Sequence, residues 1–233
     1  MSSDPEQEFF SDGISEEILN ALAKVPDLKV AGRTSSFAFK GRSQDIRELG
    51  RELDVSNALE GSVRKSGDRL RITAQLVKTA DGYHLWSRQY DRGLEDIFRI
   101  QEEIAASIAE SLSVTLERSG LGDQQVTPKA YDFFLRGLSY FARHNIQDTI
   151  YARQMFRRAL EVDPDYGRAW AGVAYTCGFE YMYFNASDVN LQEAKSTSEN
   201  ALALAPDLAE SHVAAGIARC MTGEYAAAEA AFE

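Results

Sequence analysis

Histidine and cysteine are the residue types best able to hold a metal ion or to act as a nucleophile in this 233-residue sequence. The histidines are His84, His144 and His212, and none has a metal-ligand spacing to another histidine or to a cysteine. Cys177 and Cys220 lie far apart in stretches with helical patterns, so we interpret both as small buried hydrophobic residues. The sequence therefore predicts neither a metal site nor a disulfide.

Phosphate-binding and acyl-transfer motifs are also absent from the sequence. The stretch from Gly32 to Gly41 has neither the glycine spacing of a dinucleotide-binding turn nor the Lys-Ser/Thr ending of a phosphate loop. No Gly-x-Ser-x-Gly nucleophile elbow is present. We predict no catalytic residues and no cofactor for this chain, which disfavours an enzyme.

Basic side chains lie on or beside a set of predicted strands, where they could bind phosphate or an acidic partner. The alternative, which we favour, is a solvated sheet face with cross-strand pairs to Glu60 and Asp91. Trp86 and Tyr90 could stack on a ligand, but packing beneath the helix that follows is favoured. The basic residues are Arg64, Lys65, Arg69, Arg71, Lys78, Arg88 and Arg92.

The overall charge limits the classes of partner. The chain carries a net charge of −11, which argues against a surface built for nucleic acid or anionic lipid. No apolar run approaches the ~18 residues of a membrane span, and the acidic start lacks the regions of a signal peptide. We predict no membrane segment and a cytoplasmic location for the chain as given. A transmembrane span upstream in a longer protein would make the location periplasmic.

The elements that position these side chains centre on a predicted three-stranded antiparallel meander between Asn57 and Tyr90. Apolar and polar residues alternate in its middle strand, which is typical of a strand with one buried face. Ser66-Gly67-Asp68 and Asp81-Gly82 are predicted as the turns. The apolar set of the middle strand is Leu70, Ile72, Ala74 and Leu76.

Helices are predicted on both sides of the meander. The first follows Ser11-Asp12-Gly13 and ends at Pro26, and residues Leu28 to Ala31 are predicted as a short strand. The apolar face of this first helix consists of Ile14, Ile18, Leu22 and Val25.

The next helix has Ser43 as its predicted N-cap and Asp45 in its first turn, with Ile46, Leu49 and Leu53 on its apolar face. A long helix over 94–116 follows the strands. The apolar stripe of this long helix consists of Ile97, Ile104, Ile108 and Leu112. This order predicts an α+β domain in which helices cover a mixed sheet.

Four separated motifs in this region resemble the TolB amino-terminal-like domain over about residues 4 to 115. In such proteins a strand of the type Ile-Ala-Val-Leu-Pro-Phe precedes the first motif. This chain lacks that strand, so we expect a fragment that begins inside a longer protein, with an open sheet edge prone to pairing. The motifs are Asp-Pro-Glu-Gln-Glu-Phe-Phe-Ser-Asp-Gly-Ile-Ser-Glu-Glu (4–17), Leu-Glu-Gly-Ser-Val-Arg (59–64), Arg-Ile-Thr-Ala-Gln-Leu (71–76) and His-Leu-Trp-Ser-Arg-Gln-Tyr-Asp-Arg (84–92).

The remainder of the chain contains internal repeats. Ala152, Phe156, Ala159 and Pro164 have a spacing that recurs at Ala194, Ser198, Ala201 and Pro206 and begins again at Ala228 and Phe232. This spacing resembles the second helix and closing proline of a tetratricopeptide repeat, whose period is ~34 residues. The second repeat is about eight residues longer than that period, and the extra residues are expected between 181 and 190.

We therefore predict two domains, a TolB amino-terminal-like domain at 1–119 and an all-α tetratricopeptide-repeat solenoid at 128–233. A polar linker at 120–127 joins them. The solenoid contains about three repeats, of which the last is truncated.

The resemblance implies that first-helix side chains of the repeats line a groove that binds a peptide or protein. The alternative, held equal, is that the first domain or further repeats fill the groove. The predicted groove residues are Tyr131, Phe134, Leu138, Phe141, Arg168, Tyr175, Phe179, Val213, Ile217 and Met221.

We interpret the chain as a non-catalytic sensory or protein-interaction module, with self-association as a further option. Similar domain pairs occur behind a class III adenylate or guanylate cyclase domain, or behind a winged-helix DNA-binding domain, in longer bacterial signalling proteins. The first alternative is therefore a regulatory segment of such a cyclase whose catalytic domain lies outside this chain, and the second is a regulatory segment of a winged-helix transcription regulator. A nucleic-acid-binding role for the basic strand residues would require salt-sensitive DNA binding.

Overall fold

The computed structural model describes residues 5–25, 28–42, 44–112 and 126–232 of the chain. The chain divides into two compact units, residues 1–125 and residues 126–233, here called the N-terminal and C-terminal units. Residues 120–125 of the predicted linker lie outside the described residues, so the linker stays a prediction. No helix in the described ranges combines the length and apolar character needed to cross a membrane.

The N-terminal unit contains a three-stranded antiparallel sheet in the order β1, β2, β3. The strands are β1 Asn57–Ser66, β2 Arg69–Lys78 and β3 His84–Gly93. Ser62 of β1 lies opposite Thr73, and Ile72 lies opposite Tyr90 of β3. The predicted meander is confirmed.

Two helices pack against each other and against this sheet. They are α1 Pro5–Ala23 and α4 Ile97–Ser111, and α4 follows a 3₁₀ turn at Leu94–Asp96. Two shorter helices, α2 Arg33–Phe37 and α3 Ile46–Leu53, precede the strands. The core combines the apolar face of β2 with one stripe of each long helix. Its main members are Phe10, Ile14, Ile18, Leu70, Ile72, Leu76, Tyr90, Ile97, Ile100, Ile104 and Ile108.

The prediction of a mixed sheet is wrong for the described residues, because all of the strand pairs there are antiparallel. The short strand predicted at Leu28–Ala31 is likewise not formed, and these residues join no ladder. Leu28 and Val30 are half-buried while Lys29 between them is exposed. The alternation of apolar and polar residues here therefore indicates alternate burial of the side chains. A strand also needs the backbone of a neighbouring strand to pair with.

Two helix starts also differ from the prediction. Helix α1 begins at Pro5 rather than after Gly13, because the apolar face that continues at Ile14 already begins at Phe10. An interior glycine costs about 1 kcal/mol relative to alanine, and burying Phe10 contributes about 1.5–3 kcal/mol. At α3 the N-cap is Asp45, whose carboxylate accepts a hydrogen bond from the Arg47 backbone N–H at 2.9 Å. Ser43 and residues 113–116 lie outside the described residues.

The C-terminal unit is built from six helices in its described part. Each helix packs against the next in the chain, and loops of a few residues make consecutive helices antiparallel. Side chains of Thr127, Asn145 and Ser187 cap three of the helices at their N-termini. The helices are α5 Pro128–Phe141, α6 Ile146–Val162, α7 Gly167–Tyr183, α8 Asp188–Leu204, α9 Ala209–Met221 and α10 Tyr225–Phe232.

The ring of Phe156 in α6 lies between two glycines of neighbouring helices. A Cβ atom placed on Gly137 of α5 would lie 2.4 Å from the Phe156 ring, and one on Gly172 of α7 would lie 2.8 Å from it. Phe156 is buried, and its ring centroid is 5.6 Å from that of Phe134. The absence of side chains at both glycines lets three helices close on one aromatic ring.

Candidate partner-binding surface

The ten predicted groove residues occupy different environments. Tyr131 and Phe134 are fully buried, so in this structure neither is accessible to a partner. The Phe134 ring centroid is 5.1 Å from that of Tyr166, and the guanidinium of Arg168 lies 4.9 Å from the Phe134 centroid. Tyr131 and Phe134 therefore belong to the packing of α5 against the following helices.

Arg168 and Tyr175 join α7 to α9. The Arg168 guanidinium lies 3.1 Å from a carboxylate oxygen of Glu210, and the Tyr175 hydroxyl donates a hydrogen bond to the Glu210 carbonyl at 2.7 Å. Burial raises the pKa of the Tyr175 hydroxyl above its ordinary value of 10.0, so the hydroxyl stays protonated and donates at neutral pH. These two side chains already have partners within the unit.

Ile217 and Met221 of α9 lie against α7. A Cβ atom on Gly178 would be 2.7 Å from Ile217 Cγ2 and 3.6 Å from Met221 Sδ, so Gly178 permits this close approach. Leu138 is half-buried, and Val213 is exposed. The binding role of these residues stays a prediction.

Phe141 and Phe179 are half-buried and meet at the centre of a group of aromatic rings whose other members are exposed. We call Phe141, His144, Phe179, Tyr183 and Phe184 the Phe179 cluster. Ring centroids lie 5.6 Å from Phe179 for Phe141, 6.0 Å for His144, 4.8 Å for Tyr183 and 5.8 Å for Phe184. Tyr183 is 67% exposed and Phe184 is 49% exposed. Exposed aromatic rings gathered in one place are typical of an interaction surface.

His144, Tyr183 and Phe184 were not predicted from the sequence as part of this surface. Tyr183 ends α7 and Phe184 caps it, within residues 181–190, where extra residues relative to a tetratricopeptide period were predicted. That excess length was the signal that could have identified both rings. His144 gave no such signal, because it reaches the cluster from the α5–α6 loop with a φ of 52°.

A separate cleft of about 350 Å³ lies among α6, α7 and α8. Arg157 and Glu193 line it and form an ion pair with each other, and the Trp170 indole N–H donates to the Pro164 carbonyl at 2.8 Å. Because these polar groups already have partners, the cleft offers a weaker basis for ligand recognition than the Phe179 cluster.

The structure also locates the residues considered for catalysis or metal binding. Cys177 is buried, and burial raises the pKa of its thiol to about 12, so the thiol is protonated and unreactive at neutral pH. Cys220 is half-buried. Within the described ranges, no group of three or more His, Cys, Asp or Glu side chains could hold a metal ion.

Several of the basic strand residues make local contacts. Arg69 and Arg71 bind Asp91, Arg92 lies 3.3 Å from Glu103, and the Lys65 ammonium lies 5.0 Å from the Phe10 ring centroid. The predicted cross-strand pairing is confirmed for Asp91, whereas Glu60 forms no ion pair with another described residue. Tyr90 is buried and Trp86 half-buried, as expected for packing rather than for stacking on a ligand.

The ion pairs of Asp91 predict a pH effect on stability. Hydrogen bonds from Arg71 and then Arg69 hold the pKa of Asp91 below its ordinary value of 3.8. Because the folded pKa is the lower one, the stabilisation is fully present above 3.8 and is lost as the pH falls through the lowered pKa. We expect an NMR titration of the Asp91 carboxyl to have its midpoint below 3.8, and Arg71→Gln to raise that midpoint. A wild-type midpoint at or above 3.8 would contradict the role of the two arginines.

Comparison with known proteins finds a similarity that extends across most of the chain. No protein-family model matches the chain. The chain is 40% identical over 208 residues to a protein of Rhizobium meliloti (strain 1021) named "Putative adenylate cyclase 3". The alignment covers 87% of this chain but 35% of that protein, so the chain spans about a third of its relative's length.

Proposed function

We propose that this chain is a non-catalytic interaction and regulatory segment of a bacterial signalling protein. In this proposal its C-terminal unit binds a protein or peptide through the Phe179 cluster and the neighbouring groove residues. The observation that carries the proposal is the exposure of Tyr183 and Phe184 beside the half-buried rings of Phe141 and Phe179. Aromatic side chains supply large contact area at low entropic cost, which suits them to anchor a partner.

We further propose that the N-terminal unit is a TolB amino-terminal-like domain and that the C-terminal unit is a tetratricopeptide-repeat array. The four ordered motifs support the first assignment. The spacing of Ala152, Phe156, Ala159 and Pro164, its recurrence, and three consecutive helix pairs support the second.

The signalling context follows from the relative. A segment that is 40% identical to about a third of a protein named as an adenylate cyclase supports a role in adenylate cyclase signalling. The name favours this context over a winged-helix transcription regulator. We infer that the chain regulates a cyclase domain located elsewhere in the full protein.

The binding surface can be tested with the full 233-residue chain and a phage-displayed library of random peptides. For a selected peptide, we expect the Tyr183→Ala and Phe184→Ala double variant to weaken binding about thirtyfold, as loss of a central aromatic anchor does. Fluorescence anisotropy of the labelled peptide measures the dissociation constant. Tyr225→Ala is the matched control, because Tyr225 is 71% exposed on α10 and lies outside the cluster.

Two results would contradict the proposal. Peptides that bind the double variant as tightly as the wild type would remove the Phe179 cluster from the function. Cyclic nucleotide formed from ATP or GTP by the purified chain would overturn its assignment as non-catalytic.

A further inference from the structure

Strand β1 has an open edge. Among the residues that the structure describes, its one strand neighbour is β2, and six of its ten residues are exposed. No backbone hydrogen bond from the described part of the chain reaches its other side. It contains no proline along its length, so its outward-facing N–H and C=O groups can all pair with a further strand.

The β1–β2 hairpin determines which backbone groups face outward. Its loop is Gly67-Asp68, with a φ of 58° at Gly67 and no positive φ at Asp68, which is the pattern of a type II′ turn. Ser66 and Arg69, which flank this turn, form a hydrogen-bonded pair. Hydrogen-bonded and non-hydrogen-bonded pairs then alternate along the β1–β2 ladder. Ser62 therefore directs its backbone groups to β2. Its neighbours Gly61 and Val63 direct theirs to the open edge, as do Leu59 and Lys65.

We propose that the open edge of β1 pairs with β1 of a second copy of this chain, antiparallel about a two-fold axis at Ser62. In this register Gly61 exchanges hydrogen bonds with Val63 of the second copy, and the two Ser62 residues form a non-hydrogen-bonded pair. The outward-facing N–H and C=O groups of β1 in both copies then form hydrogen bonds with each other, and the β1–β2 ladder does not have to rearrange.

Charge complementarity selects this occupant and this register. Glu60 and Arg64 lie on the same exposed face of β1, two residues on either side of Ser62. The two-fold axis at Ser62 places Glu60 opposite Arg64 of the second copy, and Arg64 opposite Glu60 of the second copy. Each dimer thus gains two opposite-charge cross-strand pairs. These pairs act against the overall repulsion that the net charge of −11 produces between two copies.

The other edge strand, β3, lacks this self-complementarity. A two-fold axis at Gln89, which lies across β2 from Ser62, would place Ser87 opposite Asp91 of the second copy, and Asp91 is already bound by Arg69 and Arg71 of its own sheet. Of these two strands, β1 is therefore the one whose charged residues favour pairing with the same strand of a second copy.

Sedimentation velocity over micromolar to near-millimolar concentrations tests the proposal. We expect the wild-type chain to dimerise, and Glu60→Lys or Arg64→Glu alone to raise the dissociation constant about tenfold or more, because each turns two attractive pairs into repulsive ones. The double variant, Glu60→Lys with Arg64→Glu, exchanges the charges and should restore the wild-type constant. Circular dichroism checks that each variant is folded.

A cross-linking experiment tests the register independently of these charges. Paired Cα atoms at the two-fold axis would be about 4.5 Å apart, within the range of a disulfide. In a Cys220→Ser background, Ser62→Cys should form a covalent dimer under mild oxidation. Ser87→Cys is the matched control on the exposed face of β3 and should stay monomeric.

The proposal is overturned if the wild-type chain is monomeric throughout the concentration range. It is also overturned if either single variant dimerises as tightly as the wild type, because the Glu60–Arg64 pairs would then not contribute. A double variant that does not regain the wild-type dissociation constant would overturn it as well, because exchanging the two charges restores both pairs only when the partner is a second copy. Equal cross-linking of Ser62→Cys and Ser87→Cys would exclude the register.

Discussion

Replacing Phe156 by alanine is expected to lower the free energy of unfolding of the C-terminal unit by about 3–5 kcal/mol, the range for truncating a large buried aromatic residue. The ring is 1% exposed and lies between the Cα atoms of Gly137 and Gly172, where no side chain can move in to fill the space. It also packs against the ring of Phe134. The lost apolar burial and the remaining cavity therefore both add to the cost.

Urea denaturation followed by tryptophan fluorescence measures this loss. The chain has two tryptophans, Trp86 in the N-terminal unit and Trp170 in the C-terminal unit. In a Trp86→Phe background, Trp170 alone reports on the C-terminal unit. Phe184→Ala is the matched control, and because its ring is 49% exposed we expect a change of about 0.5 kcal/mol or less.

A second substitution separates ring packing from general damage to the helices. Gly137→Ala should itself destabilise the unit by about 1–3 kcal/mol, since its Cβ would overlap the Phe156 ring. Combining it with Phe156→Leu should cost less than the sum of the two single changes. Full additivity, or a loss below about 1 kcal/mol for Phe156→Ala, would contradict the packing described here.

Replacing Arg153 by alanine is expected to cost about 3–5 kcal/mol, because it removes one partner from a buried network of charges. The Arg153 side chain is 11% exposed and forms an ion pair with Glu180. Its guanidinium also donates to Asn190 Oδ1 at 3.2 Å and to the Thr176 carbonyl at 3.4 Å, and it lies 3.9 Å from Glu193. Arg153 thus links α6 to α7 and α8. Without it, Glu180 stays largely buried with its charge uncompensated.

The same denaturation assay with Trp170 as reporter measures the effect. Arg143→Ala is the control for an exposed pair, because Arg143 is 57% exposed and lies 3.4 Å from Asp148, and we expect about 0–1 kcal/mol. Arg153→Met combined with Glu180→Met should lose less than Arg153→Met alone, since no buried charge is then left without its partner. An Arg153→Ala variant as stable as the Arg143→Ala variant would refute the account of this network.

Features that depend on neighbours in the sequence were predictable. The β1–β2–β3 meander follows from alternation in β2 and from Gly67 in its first turn, and both act within a few residues. The stripe of α4 likewise follows from a period of 3.6 residues. The candidate surface was predictable only in part. Phe141 and Phe179 of the Phe179 cluster were predicted from the resemblance to tetratricopeptide repeats, but Tyr183, Phe184 and His144 were not.

The sequence by itself determined the β1–β2–β3 meander, the apolar faces of α1 and α4, and the lack of a recognisable catalytic motif, because local periodicity and turn chemistry are properties of short segments. Only the tertiary structure decided which faces are covered. It buries Tyr131 and Phe134, binds Arg168 and Tyr175 to Glu210, and leaves Leu28–Ala31 without a strand partner. These outcomes depend on groups tens of residues away in the chain, and a pattern within one helix or strand carries no information about them.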